Sequence, residues 1–273
     1  MKTQLESEKA SRSGLPILDG DLWHLNKVPE VTALFWIIKV MSTTVGETGA
    51  DYLAVHVGLG TAITGGIMVT FLAAALVMQF RSRRYVPWIY WLTVVLVSVI
   101  GTQLTDVLTD RLDISLYIST AAFAGMLAAI FAVWYWMERT LSIQTIDTRR
   151  RELFYWAAIL FTFALGTAAG DLATEALGLG FKLGVVIFGI LIAIIFVAYY
   201  LGVNAVLTFW LAYILTRPLG ASLGDLLSQA RTYGGLGLGT TLTSIVFLAV
   251  IVALVTVLTM KRDTGEENQQ SRP

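Results

Sequence analysis

The chain has 273 residues, of which 56% are hydrophobic and only 14% charged, and its mean hydropathy is +0.72. Ordinary globular domains carry roughly 25% charged residues, so this composition argues against a soluble core and for apolar helices in lipid. With no cysteine there is no disulfide framework, thiolate metal site or redox motif; 19 basic against 19 acidic residues leave a net charge near zero, which says nothing about partners, and no nucleic-acid partner is expected.

Residues 1–29 are polar and lack the apolar core of a signal peptide, so they read as a cytoplasmic leader, with a short interfacial piece at 15–25. Apolar runs then predict helices at 31–54, 58–80, 86–108, 115–137, 153–175, 181–201, 203–226 and 238–260. Each is close to the ~20 residues that cross ~30 Å of hydrocarbon, where backbone polar groups can be satisfied only inside helices or closed barrels. The expected fold class is all-α, a polytopic membrane protein with eight transmembrane helices.

The helices come in pairs because one stretch recurs four times. It reads FWIIKVMSTTVGETGAD at 35–51, YWLTVVLVSVIGTQLTD at 90–106, YWAAILFTFALGTAAGD at 155–171 and FWLAYILTRPLGASLGD at 209–225. Every copy has an aromatic residue, a Trp, a Gly and a closing Asp at fixed spacing. The repeats fall at 30–82, 83–140, 153–201 and 202–260, with a linker at 141–152 and a cytoplasmic tail at 261–273. Two spans per repeat make all four copies enter from the same side, so they are parallel repeats about an axis along the membrane normal.

Basic residues set the orientation. Arg81, Arg83 and Arg84, then Arg139, Arg149, Arg150 and Arg151, then Lys261 and Arg262 all fall on one side. The other side has a thinner basic count, which puts both termini in the cytoplasm. Each Trp then starts its helix near the cytoplasmic face, and each Asp lies ~22 Å further along.

The Asp residues at 51, 106, 171 and 225 are the candidate cation ligands. Their bland reading is a hydrated carboxylate at a helix end. One turn earlier, on the same face, stand Glu47, Thr102, Thr167 and Ala221, and another turn back Thr43, Ser98, Phe163 and Arg217. Ionisable groups inside membrane segments usually face the bundle interior or a water-filled path. The expected metal site is therefore Glu47, Asp51, Asp106, Asp171 and Asp225, supported by Thr43, Ser98, Thr102 and Thr167, with Glu47 and Asp51 at its centre.

Lys39 and Arg217 are expected to gate the site or balance its charge, although Lys39 could equally snorkel to the interface and Arg217 could form a structural ion pair. Pro218 can kink its helix. The repeat Gly residues suit close helix packing, the repeat Trp residues suit interfacial anchoring, and GGLGLG at 234–239 reads as a flexible loop. His24 and His56 are isolated, and no nucleophile motif or nucleotide loop is present, so no enzyme and no resident cofactor is expected.

The repeat, opened in the first copy by KVPEVTALFW at 27–36, resembles a family of uncharacterised bacterial integral membrane proteins built from four tandem two-helix repeats, each with a characteristic tryptophan. The resemblance covers residues 27–260. It implies eight helices in a bacterial inner membrane and no particular activity. Carboxylates and hydroxyls without thiol ligands favour a hard divalent ion, with manganese preferred. The expected function is thus transport or export of a small cation across the lipid bilayer. A carrier of a small organic solute and a non-transporting assembly or sensor protein are the alternatives.

Overall fold

A computed structural model describes residues 26–56 and 61–270. The predicted interfacial piece at 15–25 and His24 lie outside the described residues. The fold is all-α, with no strand among the described residues. Eight long helices follow in order: α1 Ala33–His56, α2 Thr61–Arg81, α3 Pro87–Asp106, α4 Leu116–Glu138, α5 Arg149–Asp171, α6 Gly180–Tyr200, α7 Ala205–Ser228 and α8 Thr240–Gln270. α3 and α5 each continue as one π-helical turn, at Val107–Arg111 and Leu172–Ala176.

Seven of these helices are long and apolar enough to cross a membrane. The eighth, α1, is 24 residues long but falls outside that set by composition among the described residues. Its apolar run is broken by Lys39, Glu47 and Asp51 and by the hydroxyls of Ser42, Thr43 and Thr44. At the other end α8 outruns the predicted span and stays helical to Gln270. α7 runs as one helix through Pro218.

The odd-numbered helices carry the repeated stretch and close into a ring, α1 to α3 to α5 to α7 and back to α1. The repeat glycines make this closure possible. An added Cβ on Gly46 would strike Ser98, and one on Gly101 would lie 2.7 Å from the Phe163 Cβ. One on Gly166 would lie 2.5 Å from the Arg217 Cβ, and one on Gly220 would lie 2.7 Å from the Thr43 Cβ. Each glycine thus receives the next repeat's residue three positions before its own glycine. The same heterologous contact made four times closes a ring instead of a filament.

The even-numbered helices follow the same rule outside the ring. α2 packs on α3, α4 on α5, α6 on α7 and α8 on α1, while α1 and α2 barely touch. Each repeat therefore lends its outer helix to the inner helix of the next one. This explains why the outer helices remain exposed along most of their length: only 17% of the apolar windows of α4, α6 and α8 is buried, against 61% for α5 and α7.

The segment entering α1 is not loose. Asn26 to Pro29 are buried. The Lys27 ammonium pairs with Glu152 at 2.7 Å, Gln79 donates to the other Glu152 oxygen at 3.3 Å, and the Lys27 N–H donates to the Ile146 carbonyl at 3.1 Å. Residues 26–29, at the end of the predicted leader, strap the start of α1 to the end of α2 and the linker before α5. The GGLGLG loop is likewise pinned, because the N–H groups of Leu236, Gly237, Leu238 and Gly239 donate to the carbonyls of Leu226, Gln229, Leu227 and Ser228. Positive φ at Gly234, Gly237 and Gly239 permits that fold-back.

Candidate functional site

Equivalent positions of the four inner helices form layers across the ring axis. The first layer is aromatic. Phe35, Tyr90, Tyr155 and Phe209 point inward, each against the Trp of the next repeat, with ring centres 5.6 Å apart for Phe35 and Trp91, 5.6 Å for Tyr90 and Trp156, 6.3 Å for Tyr155 and Trp210, and 5.7 Å for Phe209 and Trp36. The Tyr90 and Tyr155 hydroxyls hydrogen bond at 2.6 Å. Trp91, Trp156 and Trp210 are buried. The anchoring role expected of the repeat Trp residues is therefore overturned for these three: they complete a plug at one end of the axis, tucked beneath the loops, and Trp210 donates to the Leu141 carbonyl at 2.9 Å.

Lys39 lies just below, with Val94, Ile159 and Tyr213 at its own repeat position. It does not snorkel. The side chain is fully buried, and Nζ sits 4.0 Å from the Phe163 ring centre and 4.2 Å from that of Tyr213, with no hydrogen-bond partner among the described residues. Cation–π attraction offsets part of the cost of leaving water.

One further turn down, the ring converges on Arg217, which is fully buried. Nη1 donates to the Thr43 carbonyl at 2.8 Å. Nη2 donates to Glu47 Oε2 at 2.8 Å, to Thr167 Oγ1 at 2.8 Å and to Thr102 Oγ1. Glu47, Thr102 and Thr167 are the same repeat position on α1, α3 and α5, and Ala221 is the fourth. The guanidinium thus uses the pseudo-symmetry of the repeats as its binding cup. Thr43 Oγ1 turns to the Val40 and Thr216 carbonyls at 2.6 and 3.2 Å. The Ser98 hydroxyl packs at Gly46 and has no hydrogen-bond partner among the described residues, while its carbonyl accepts from Thr102 Oγ1 at 3.3 Å.

Beyond this pair the axis becomes acidic. Asp51, Asp106 and Asp171 are partly exposed and Asp225 is buried. Electrostatic repulsion links them around the ring: Asp106 with Asp51, Asp171 with Asp106, and Asp225 with both Asp171 and Asp51, while all four are within range of Glu47. Among the described residues no three Asp, Glu or His side chains are gathered tightly enough to hold a metal ion. Glu47 sits one turn deeper and its Oε2 is taken by Arg217, and the Asp residues stand on four helices around the ring.

Two carboxylates of this funnel were missed in the sequence. The π-turns after α3 and α5 carry exposed Asp110 and Glu175, each four residues past the repeat Asp, and both interact electrostatically with Asp51. Repeat four has Gln229 at that position, whose Nε2 lies 3.5 Å from Asp51 Oδ2. The four-residue spacing was a readable signal, hidden because Asp110 looks like one charge of a loop cluster. A cavity of about 850 Å³ lies elsewhere, off the axis at the aromatic end, between Glu30, Trp36, Ser142, Phe196, Tyr199 and Phe209.

The class defined by this arrangement is a ring of four tandem two-helix repeats around a polar axis, closed by aromatic rings at one end and acidic at the other. The chain belongs to the family described as Repeat of Unknown Function (DUF347), whose four copies match residues 34–85, 89–140, 154–202 and 208–264. Neither a curated protein nor a solved structure matches it.

Proposed function

We propose that the chain is a multi-pass protein of a bacterial inner membrane, with both termini cytoplasmic, that carries a small cation along its ring axis. The observation that carries this reading is the sequence of charges on that axis. Exposed Asp110 and Glu175 lead to the four repeat Asp residues and then to Glu47, which Arg217 holds. Clefts lined by one sign of charge between low-dielectric walls concentrate counter-ions.

Arg217 occupies Glu47 when no cation does, and an arriving cation competes with the guanidinium for that carboxylate. All-oxygen chemistry suits a hard divalent ion, with manganese first, which keeps part of its water where the carboxylates stand apart. Placement of the basic loops around Arg83 and Arg150 at the aromatic end supports a cytoplasmic plug and a funnel facing outward. The organic-solute alternative has weaker support, because three of the four repeat Trp residues are packed into the plug and line no path.

The test is growth of cells lacking the protein, with and without plasmid-borne copies, on manganese, magnesium, calcium, zinc and copper salts, with cell metal read by mass spectrometry. The expected outcome is sensitivity to one hard divalent ion whose accumulation is reversed by wild type and not by Asp51→Asn. No metal phenotype across the panel contradicts the reading.

A further inference from the structure

Lys39 is the buried group that the funnel leaves without a task. Its Nζ is fully buried, touches two ring faces and meets no hydrogen-bond acceptor. A ring face attracts an ammonium, but its N–H donors remain unsatisfied there. The groups around it are named by the helices that pack about the axis. α7 brings the Arg217 guanidinium and the Tyr213 phenol, α3 and α5 bring the phenols of Tyr90 and Tyr155, and α1 itself brings Glu47 two turns on. α2 and α8 carry no titratable side chain between 61 and 80 or between 240 and 260.

Charge counting along the buried part of the axis gives an exclusion rule. With Lys39 protonated, that part of the axis holds two cationic groups, Lys39 and Arg217, against the one carboxylate of Glu47. A divalent cation at Glu47 must displace Arg217 and adds two more positive charges to the same water-poor space. Like charges in such a space repel far more strongly than in water. Lysine, unlike arginine, can resolve the conflict by giving up a proton.

We propose that Lys39 carries the counter-ion: the buried axis holds either a proton on Lys39 Nζ or a cation at Glu47, and the protein therefore exchanges protons for its cation. The inference rests on the reading of the chain as a cation carrier. When the cation arrives, one N–H bond of the ammonium breaks, the electron pair stays on nitrogen and the proton passes to water. When the cation leaves, the amine lone pair takes a proton back, and no electron is transferred.

The test uses full-length protein in lipid vesicles with Mn²⁺ as the probe. Two quantities are read: exchange of labelled for unlabelled Mn²⁺ at equal pH on both sides, and Mn²⁺ accumulation driven by an imposed pH gradient, with internal pH followed by a dye. Wild type is expected to do both. Lys39→Met is expected to keep exchange and lose gradient-driven accumulation, whereas Lys39→Arg, whose charge cannot be given up, is expected to lose both. Lys39→Arg preserves the positive charge and most of the bulk, so a merely structural lysine predicts full coupling in that variant, which overturns the proposal. Wild-type exchange that ignores the pH gradient overturns it too, without recourse to any variant, and leaves the cation reading standing. Absence of Mn²⁺ exchange in the wild type removes that underlying reading and the proposal together.

Discussion

Arg217→Met is expected to destabilise the folded protein by about 3–5 kcal/mol, the usual cost of removing one partner from a buried ion pair. Glu47 then keeps a carboxylate at 6% exposure without its cation, and Thr102 and Thr167 lose the donor that joins them. The loss is not a measure of what the pair contributes, since most of it is the penalty for the stranded charge. Glu47→Gln/Arg217→Met, which removes both charges, should recover much of the stability. Thermal unfolding of the two single variants and the double variant in detergent closes the cycle. Additive losses would show that the two side chains do not meet.

Transport is expected to vanish in Glu47→Gln while the protein still inserts and folds. The carboxylate at the end of the funnel is the one an ion must reach, and Gln retains its shape and one acceptor oxygen. Asp51→Asn should behave in the same way. Asp110→Asn and Glu175→Gln should only slow uptake, and mainly at low ionic strength, because exposed charges at the rim act by steering that salt screens. Cell manganese content at matched membrane levels of each variant distinguishes the two groups. Equal effects from rim and floor would contradict a funnel with a binding end.

Much of this architecture was legible in the repeat. Four copies of aromatic, Trp, Gly and Asp at constant spacing point to four two-helix repeats, which the structure and the family match bear out. What was not legible was which helix meets which. Nothing in one repeat says that its outer helix packs on the next repeat's inner helix, because that pairing depends on ring closure. The contact of Arg217 with Glu47 spans 170 residues of sequence. It follows only once Gly166 and Gly220 bring α5 and α1 against α7.

Lys39 and the Trp residues were misplaced for a related reason. Counted along an isolated helix they sit near its end, where lysine snorkels and tryptophan anchors. The strap at 26–29, held by Lys27 and Glu152, and the linker carbonyl of Leu141 roof over that end and turn it into interior. Equal depth in the four repeats does not say whether the carboxylates meet, because four helices around an axis keep equal-depth side chains apart unless one long side chain, here Arg217, reaches across.

The central claim is that a hard cation passes down the acidic axis to Glu47. Its most direct test is the initial rate of labelled Mn²⁺ uptake into vesicles containing purified protein, with empty vesicles and Glu47→Gln as controls. The account predicts saturable uptake by wild type and background uptake by Glu47→Gln. Wild-type vesicles no faster than empty ones, or Glu47→Gln as fast as wild type, would contradict it.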